Sequence, residues 1–589
     1  MSGNQLLLID TTQTQRYIFG SNRLMENIGG SYLVAMATEQ WVLETIVKHK
    51  IEPHNVRQRA DKTYEIDPDG RFEDGLAVEV ITAGGGNSIL LCRDDAVMRK
   101  FLNHYSRRLL CDAPNIPVYT AHEPFSWSGT QKLAEAVGQL MGETANKAKQ
   151  MQQDSQPLLG MSVSVPCKAT GLPAVQMSKP VSNDDIPYPI SAEIFAKHKA
   201  ADRDRENDLP SEADIYLRKE VPINEKHYRY PGDFDDMVPR QGEANYIAIV
   251  HADGDGVGSR LKGLGKDEQG NYLDWDHRKY ITERRRFSDG LTAATRQALR
   301  ATMKSLQDKL LQDSKPNGDV LIAYYGDEEQ RIELQPIEEG KYLYYLPFRP
   351  IISGGDDVTF VCDGRIAHAL TLNYLRAFKQ ATSNLKIEGK KVFDRPISAS
   401  AGIAIVRTHY PFARAYHLAE DLMENAKRAR RFHKWKEEEI GALDWHFTVG
   451  GLYGNVKTIR EREYKSGSGD LALRPVAVEK PKQLSERRWD TIQKGIEAFQ
   501  EPKLPKDRQE WHSRRNKAKA LRDALREGKN GVVRFRTMFL NGGKLPDIGN
   551  ENFRDNGYYL DRCGYFDALE LSDWFMDVPA VAVEEAAND

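Results

Sequence analysis

Residues 350–362, PIISGGDDVTFVC, place a Gly-Gly-Asp-Asp turn between two short runs of apolar, β-prone residues. This pattern predicts two antiparallel strands joined by a tight hairpin. Glycine and aspartate are common turn residues, so the four residues alone are compatible with an ordinary hairpin. Two adjacent carboxylates at its tip repel each other, however, and the sequence around the hairpin indicates why they are there.

The sequence on both sides of the hairpin predicts a complete α+β domain. A strand within EANYIAIVHADGDG comes first and ends near Asp253 and Asp255. A helix follows, with apolar residues at helical spacing between positions 287 and 298. After the hairpin come a helix at about 365–382, the strand SASAGIAIV and a final helix. The order β-α-β-β-α-β is that of a ferredoxin-like fold.

The N-terminal part of the chain repeats this order in a weaker form, which predicts two related domains. The strand NQLLLID ends in Asp10 as the later strand ends in Asp253, and AGGGNSILLC corresponds to SGGDDVTFVC. The first hairpin has Gly85 and Gly86 in its turn and has lost both aspartates. We therefore expect one domain that keeps the carboxylates and one that lacks them.

The predicted fold class is α+β, with four parts. Ferredoxin-like domains occupy 1–125 and 242–450, a polar linker domain occupies 126–241, and a helical C-terminal domain occupies 451–589. The stretch YKSGSGD, just after the second ferredoxin-like domain, is typical of a flexible connector.

Composition favours a soluble, cytoplasmic protein. The 589 residues are too many for a single core, and 40% of them are hydrophobic. No apolar run is long enough to span a membrane, and no signal peptide is recognisable. With a net charge of -3, any contact with nucleic acid would have to use local basic patches. Five scattered cysteines without a Cys-x-x-Cys pair argue against a disulfide framework and a four-cysteine zinc site.

The carboxylates of the second ferredoxin-like domain are predicted to converge. The strand that ends in Asp253 would lie beside the hairpin, which brings Asp356, and with it Asp357 and Asp255, to one edge of the sheet. Crowded carboxylates repel and raise each other's pKa unless a cation neutralises them. Oxygen ligands suit Mg²⁺ or Mn²⁺, and two such ions can activate a hydroxyl and stabilise a leaving phosphate oxygen. The site is therefore predicted to bind two divalent ions and a nucleoside triphosphate.

Two further motifs predict contacts to phosphates. DGDGVGSRLKG offers backbone amides after the first strand, and its glycines allow close approach of a triphosphate. ENAKRARRFHK places Lys427, Arg430 or Arg431, and Lys434 on neighbouring turns of the last helix. The alternative for this helix is an ordinary solvated basic face.

In combination these motifs resemble the large palm-domain subunit of type III CRISPR effector complexes, the polymerase/cyclase that converts ATP into cyclic oligoadenylates in antiviral defence. The motifs are IDTTQTQRYIF with IGGSYLVA, NYIAIVHADGDGVG, SGGDDVTFV, and ISASAGIAI with AYHLAEDLMENAKRA. They occur in the order of that family and cover about 1–125 and 160–450. Nucleotide cyclases with a Gly-Gly-Asp-Glu-Phe turn share the palm but have one copy of it.

The resemblance implies a role for each matching residue. Asp253 and Asp356 would be catalytic metal ligands together with the backbone of Gly254, and Asp357 would be a further ligand or would help to deprotonate the attacking hydroxyl. The 3′-hydroxyl of one ATP would attack the α-phosphorus of another, with release of pyrophosphate. The residues expected to bind nucleotide are Gly256, Gly258, Ser353, Gly354, Gly355, Lys427 and Arg431 in the second palm, and Asp10, Gly85 and Gly86, which would hold the acceptor, in the first.

The sequence also departs from the family pattern. Many members begin with an HD nuclease domain, whereas this chain starts at the first palm, so DNA cleavage is not expected. The zinc finger of the family is reduced to CKATGLPA, in which Thr170 replaces a cysteine after Cys167, so zinc is not expected. Guide RNA, target RNA and other effector subunits remain candidate partners.

Two alternatives stay open. The chain could be a scaffold or RNA-binding subunit with a vestigial site, in which the basic stretches HRKYITERRRF and SRRNKAKALRDALREGK contact phosphates. For both stretches, solvated helix faces are the more ordinary interpretation. The chain could also be a cyclic mononucleotide or dinucleotide synthase with the same active-site residues.

Overall fold

The computed structural model describes residues 3–154, 163–179, 186–203, 209–238, 245–313, 332–337, 343–448, 455–482, 485–500 and 515–581. None of the helices within these ranges combines the length and the apolar character needed to cross a membrane.

The N-terminal ferredoxin-like domain, here called the first palm, is built around a four-stranded antiparallel sheet. Its elements are β1 (Asn4–Thr11), α1 (Thr14–Phe19), α2 (Leu24–Thr38), α3 (Gln40–Lys48), β2 (Val56–Gln58), β3 (Tyr64–Ile66), β4 (Val78–Gly84), β5 (Asn87–Cys92), α4 (Asp95–Asp112) and β6 (Val118–Phe125). The sheet order is β4, β5, β1, β6. This is the ferredoxin-like order that the sequence predicts, because the first strand lies between the third and the fourth.

The segment after the first palm contains short elements that cover both palms. They are α5 (Leu133–Gln139), a π-helical turn (Leu140–Thr144), α6 (Ala145–Asp154), β7 (Ala174–Met177), β8 (Pro189–Ser191), α7 (Ala192–Ala201), α8 (Glu212–Glu220) and β9 (Tyr228–Arg229). Helices α7 and α8 begin at Ser191 and Ser211, whose hydroxyls accept hydrogen bonds from backbone amides of the first turn.

The second palm repeats the ferredoxin-like order and extends it. Its elements are β10 (Tyr246–Gly254), α9 (Val257–Lys262), α10 (His277–Asp313), β11 (Tyr344–Tyr345), β12 (Phe348–Gly354), β13 (Asp357–Asp363), α11 (Ala367–Asn384), β14 (Lys386–Ile387), β15 (Lys390–Lys391), β16 (Ala399–Arg407), α12 (Phe412–Phe432) and β17 (Ala442–Phe447). The sheet order is β12, β13, β10, β16, β17, followed by a short strand from the C-terminal part. The predicted α+β fold class is thereby confirmed.

The C-terminal part is mainly helical and also contains a small sheet. Its elements are α13 (Val456–Glu463), β18 (Lys465–Ser466), β19 (Gly469–Asp470), β20 (Val476–Ala477), α14 (Trp489–Gln500), α15 (Arg515–Arg526), α16 (Lys529–Phe539), β21 (Tyr558–Tyr559), β22 (Arg562–Cys563) and α17 (Phe566–Ser572). Strand β20 pairs with β17 and so joins this part to the sheet of the second palm.

The prediction of a flexible connector at YKSGSGD is wrong. These residues form the β18–β19 hairpin, which lies in one sheet with β21 and β22. Tyr464 and Leu471, on either side of the hairpin, are buried in the core of the second palm and the C-terminal part. The small polar residues therefore serve a tight turn whose ends are fixed by apolar packing.

Each palm covers one face of the other palm's sheet. Tyr17, Ile18 and Phe19 of α1 share a buried cluster with Ile249 of β10 and Tyr416 of α12. In the reverse direction, Tyr280 and Ile281 of α10 are buried against the outer face of the first sheet. The two palms are thus related by an approximate twofold arrangement, with the two hairpin turns at its centre.

The basic stretch HRKYITERRRF, at the start of α10, is neither a solvated face nor an open nucleic-acid surface. Arg285 is buried and binds Glu79 Oε1 at 2.8 Å and the carbonyl of Ile81 at 2.9 Å. Arg278 also binds Glu79, which has no solvent exposure. These arginines join α10 to strand β4 of the first palm, and both interpretations of this stretch from the sequence are corrected.

Candidate active site

The end of β10 and the turn between β12 and β13 bring three predicted site residues together. Ala252 pairs with Val358, so Asp253 and Gly254, the last two residues of β10, lie beside the Gly-Gly-Asp-Asp turn. A Cβ atom at Gly254 would lie 2.8 Å from both Cβ and Oδ2 of Asp356. Glycine at position 254 therefore lets the Asp356 carboxylate approach the end of β10, where Asp253 also lies.

The two carboxyls of the turn have strongly altered acidity. Burial and the neighbouring charge of Asp253 raise the pKa of Asp356 to about 8. Burial and Asp253 likewise raise the pKa of Asp357 to about 8, and nearby Lys427 opposes that shift. These are the two effects expected when carboxylates share a partly desolvated site without a cation between them.

Asp357 faces a histidine that the sequence analysis did not single out. Its Oδ1 lies 3.3 Å from Nδ1 of His251, and this oxygen is buried without a hydrogen bond among the described residues. His251 is buried on β10, and its Nδ1 also lies 3.1 Å from the Thr359 hydroxyl. Burial lowers the pKa of His251, so a neutral imidazole stands beside the carboxyl. The alternation of β10 could have revealed it, because residue 251 shares a strand face with residue 253.

Lys427 reaches the site from α12. Its ammonium group contacts the carboxylate of Asp253 and lies 3.1 Å from the carbonyl oxygen of Gly254. The helix can come this close because β16 has glycine at position 402, where a Cβ would lie 2.1 Å from the carbonyl oxygen of Ala419. Arg431, one turn beyond Lys427, is exposed.

Asp255 does not belong to this edge, and its predicted placement there is wrong. Its carboxylate accepts hydrogen bonds from the hydroxyls of Ser398 and Ser400 at 2.7 and 2.9 Å. Arg430 lies 3.2 Å away, and all four side chains are buried. Arg430 is therefore part of a structural ion pair, which leaves Arg431 as the phosphate-binding candidate of the pair considered from the sequence.

The glycines predicted to bind nucleotide leave open space around the carboxylates. A side chain added at Gly256, Gly258 or Gly354 would meet no atom within 4 Å. Ser353 is partly exposed on the same edge. At Gly355 the backbone is left-handed, with φ of 61°, and its carbonyl accepts a 2.6 Å hydrogen bond from the Thr295 hydroxyl. The space next to Gly256, Gly258 and Gly354 is therefore free of other atoms of the described residues.

The corresponding residues of the first palm lie against this site. The turn containing Gly85 and Gly86 touches the second turn, since a Cβ at Gly85 would lie 3.5 Å from Cα of Gly355. Asp10 accepts a hydrogen bond from the Tyr119 hydroxyl, and its Oδ2 lies 3.6 Å from Nζ of Lys149. Lys149 was missed from the sequence, although ANKAK resembles the ENAKRA that contains Lys427.

The donor set fits a hard divalent cation that also binds substrate phosphates. Asp253, Asp356 and the carbonyl of Gly254 supply oxygen atoms, and Asp357 has a buried oxygen without a hydrogen bond. No three His, Cys, Asp or Glu side chains within the described ranges form a ready-made metal-binding group. Mg²⁺ commonly uses one or two carboxylates and completes its shell with water and phosphate, so a partial set is compatible with it.

The stretch CKATGLPA, which the sequence analysis compares with a reduced zinc finger, is a packed turn. Cys167 is buried against Ile190 and Ile194, and its carbonyl accepts a 2.9 Å hydrogen bond from the amide of Gly171. The Thr170 hydroxyl binds the hydroxyl of Ser191 at 3.1 Å. Apolar packing and hydroxyl contacts stabilise this turn.

One protein-family model matches part of the chain. Residues 246–433 match the family model for the second palm domain of Cas10/Cmr2. No curated protein matches the sequence.

Similar solved structures include the Csm1–Csm4 cassette with AMPPNP, at 13% identity and a TM-score of 0.47 over 97% of this chain and 69% of that chain. The same cassette with cA4 has 13% identity and a TM-score of 0.44 over 97% and 70%. Csm1 in T. onnurineus has 14% identity and a TM-score of 0.38 over 75% and 53%.

Proposed function

Because residues 246–433 form a palm domain of the Cas10/Cmr2 family, we propose that this chain is a metal-dependent nucleotidyltransferase that converts ATP into cyclic oligoadenylates and releases pyrophosphate. The observation that carries the proposal is the convergence of Asp253, the Gly254 carbonyl and Asp356 beneath an open glycine-lined edge, with Lys427 in contact. A scaffold gains nothing from crowded carboxylates, whose mutual repulsion costs stability.

Each site residue has its own role in the proposed nucleotidyl transfer. Asp253, Asp356 and the Gly254 carbonyl would hold the Mg²⁺ or Mn²⁺ ions, and such ions, when bound, would supply Lewis-acid stabilisation of the α-phosphate and of the attacking oxygen. The 3′-oxygen of the acceptor nucleotide forms a bond to the α-phosphorus of the donor, and the bond from that phosphorus to the bridging oxygen breaks. Pyrophosphate leaves with the electron pair, and Asp357 accepts the hydroxyl proton.

Cationic side chains of α12 complete the donor site. Lys427, which contacts Asp253 in this structure, would bind the β- and γ-phosphates of the substrate, and Arg431 would support the outer phosphate. The backbone at Gly256 and Gly258 and the Ser353–Gly355 edge leave room for the triphosphate. Stabilisation by such preorganised charges is the main source of catalysis in phosphoryl transfer.

The first palm holds the acceptor nucleotide. Its turn at Gly85 and Gly86 touches Gly355, so an acceptor bound near Asp10 would present its 3′-hydroxyl to the donor across the junction of the two turns. In this proposal the chain acts in the cytoplasm as part of antiviral defence, and guide RNA, target RNA and other effector subunits are its partners. The family resemblance supports this last step.

The test combines product analysis with direct binding. Purified protein is incubated with labelled ATP or GTP and Mg²⁺ or Mn²⁺, and product masses are determined. Binding of Mn²⁺ with ATP is measured in parallel by electron paramagnetic resonance, which needs no turnover. We expect cyclic oligoadenylates from the wild type and neither product nor Mn²⁺–ATP binding from Asp356→Ala/Asp357→Ala. Unchanged synthesis or unchanged Mn²⁺ binding in the double variant would refute the assignment.

The same measurements separate the alternatives. A cyclic mononucleotide or dinucleotide synthase would give a smaller ring, which product mass reports directly. A scaffold would bind no Mn²⁺–ATP at the turn. Its RNA contacts would use the basic face of α15, where Lys519, Arg522 and Arg526 are exposed, and would depend on salt.

A further inference from the structure

A side chain from α10 holds the backbone of the Gly-Gly-Asp-Asp turn. The Thr295 hydroxyl donates a hydrogen bond to the carbonyl oxygen of Gly355, with the two oxygen atoms 2.6 Å apart. This distance is normal for a hydrogen bond between two oxygens. Thr295 is buried. Among the described residues, no other side chain donates a hydrogen bond to the backbone of residues 354–357.

The turn needs such a restraint because of the residues that it carries. The charge of Asp253 acts on both Asp356 and Asp357, and crowded carboxylates repel one another. Gly355 has a left-handed backbone, with φ of 61°, and glycine has the greatest conformational freedom of all residues. Repulsion next to a flexible glycine favours displacement of the turn, and a hydrogen bond to that glycine opposes it.

The first palm restrains its own turn from a different element. There the Thr11 hydroxyl, at the end of β1, donates a 3.3 Å hydrogen bond to the carbonyl of Gly86. Thr11 directly follows Asp10, and the residue that directly follows Asp253 in the second palm is Gly254. The strand that carries Asp253 therefore has no hydroxyl at the corresponding position.

The second palm cannot use threonine at position 254. A Cβ there would lie 2.8 Å from both Cβ and Oδ2 of Asp356, so the close approach of this carboxylate requires glycine. The residue that brings Asp356 to the end of β10 thus excludes the restraint that the first palm uses. In the second palm the hydrogen bond to the turn comes from Thr295 instead.

Helix α10 is a fixed support for this hydrogen bond. Ten residues before Thr295, or about 15 Å along the helix, Arg285 donates hydrogen bonds to the carbonyls of Val80 and Ile81 at 2.7 and 2.9 Å. Both carbonyls belong to β4, the strand that leads into the glycine turn of the first palm. The same helix therefore contacts the strand of the acceptor hairpin and the turn of the donor hairpin.

We propose that Thr295 is a positioning residue for nucleotidyl transfer, whose hydrogen bond to Gly355 fixes the Gly-Gly-Asp-Asp turn where Asp356 meets the end of β10. The catalytic part of this inference rests on the proposed function, whereas the restraint on the turn is a property of the protein without substrate. Thr295 acts through the turn. A displacement of reacting groups by about 1 Å can lower a rate by about 10²-fold.

The experiment compares the full-length wild type with three variants. Thr295→Val keeps the shape of threonine and removes the hydroxyl, and Thr295→Ser keeps the hydroxyl. Thr302→Val is the matched control, because Thr302 is a buried threonine of the same helix whose hydroxyl donates to the carbonyl of Ala298 at 2.8 Å. Melting temperatures show whether each variant is folded.

Two properties are measured for each protein. Hydrogen–deuterium exchange, followed by mass spectrometry of peptides that contain residues 350–362, reports the opening of the turn and needs no turnover. Initial rates of product formation at varied ATP concentration with Mg²⁺ give kcat and KM.

In Thr295→Val we expect faster exchange in the turn peptides and a kcat lower by about 10²-fold with little change in KM, because the reacting geometry is lost while binding of ATP remains. Thr295→Ser and Thr302→Val should resemble the wild type in both properties.

Wild-type exchange or a wild-type kcat in Thr295→Val would overturn the inference, and so would equal effects in Thr302→Val. Faster turn exchange in Thr295→Ser would also overturn it, and this comparison remains valid if Thr295→Val does not fold. A wild type that forms no product, together with faster turn exchange in Thr295→Val alone, would instead overturn the cyclase proposal and leave the restraint on the turn assigned.

Discussion

Nζ of Lys149 lies 3.6 Å from Oδ2 of Asp10 in the first palm, in the arrangement that Lys427 and Asp253 have in the second. In both palms the aspartate stands near the end of the first strand, and the lysine comes from the helix that follows the fourth strand. The first palm has therefore lost the acidic turn while keeping the cation–carboxylate pair. Such a pair can orient a nucleotide, but it lacks the crowded carboxylates that would bind metal.

We predict that Lys427 and Lys149 contribute differently to product formation. Lys427→Ala should lower the rate of product formation by about 10²–10³, as expected for loss of one preorganised charge at the reacting phosphates. Lys149→Ala should raise the KM for ATP more than it lowers kcat, because it removes an acceptor contact. Initial rates at varied ATP concentration measure both effects.

Lys147→Ala is the control, because Lys147 is exposed on the same helix as Lys149. It should leave both kinetic parameters at their wild-type values. Equal losses for Lys427→Ala and Lys149→Ala would contradict the division into a donor palm and an acceptor palm.

A second prediction separates the two aspartates of the Asp-Gly-Asp sequence. Asp255→Asn removes one of two carboxylates beside Arg430, which keeps Glu439 at 3.0 Å, so we expect the free energy of unfolding to fall by about 1–3 kcal/mol, the cost of weakened buried hydrogen bonds. Asp253→Asn removes the repulsion from Asp356 but also the ion pair with Lys427, so these two effects oppose each other and stability should change little, while Mn²⁺–ATP binding should be abolished. Urea unfolding and paramagnetic resonance measure the two properties. If Asp255→Asn were as stable as the wild type and lost only Mn²⁺–ATP binding, Asp255 would belong to the active site after all.

The sequence could predict the position of those site residues that lie at the ends of strands. Asp253 and Asp356 could be placed together because the strand preceding one must lie beside the hairpin carrying the other. Asp255 could not, because it lies past the strand end and its direction depends on Ser398 and Ser400, over 140 residues away. Long-range partners decide such cases, and a sequence pattern does not identify them.

The same limit applies to the charged and turn-rich stretches. Arg285 and Arg278 read as a solvated or phosphate-binding face because their partner, Glu79, lies in another domain about 200 residues away. The residues after Tyr464 read as a connector because their small polar side chains conceal the apolar packing on either side. Lys149 was hidden by a π-helical turn, which interrupts the periodicity of its helix.

A third prediction concerns the contact between the two hairpin turns. Gly85→Ala adds a methyl group 3.5 Å from Cα of Gly355 and strains a backbone with φ of 62°, which costs about 1–2 kcal/mol. We expect a loss of stability of that size together with a more than tenfold loss of product formation, because the acceptor and donor sites separate. Gly389→Ala imposes similar strain, with φ of 75°, where an added Cβ would meet nothing. It should lose stability and keep its activity. If both variants lost activity in proportion to their loss of stability, the contact between the two turns would have no catalytic importance.

A fourth prediction concerns acid sensitivity at the junction of the second palm with the C-terminal part. Burial, together with nearby Arg474, lowers the pKa of both His368 and His446 to about 3. Neither ring nitrogen of either histidine forms a hydrogen bond among the described residues. In the unfolded chain these histidines have a pKa near 6.5 and become protonated below that pH, whereas in the folded chain they stay neutral. The free energy of unfolding therefore falls as pH decreases through 6.5.

Each of these histidines should lower the free energy of unfolding by about 2 kcal/mol as pH falls from 8 to 5. His368→Phe removes one titrating group, so its melting temperature should fall less than that of the wild type over this interval. His409→Phe, at a histidine whose side chain is 85% exposed, should follow the wild-type pH profile. The measurement is the difference in melting temperature between pH 8 and pH 5 for the three proteins. Identical differences in wild type and His368→Phe would show that His368 is protonated without penalty, and that the polar groups around Arg474 are solvated in the folded protein.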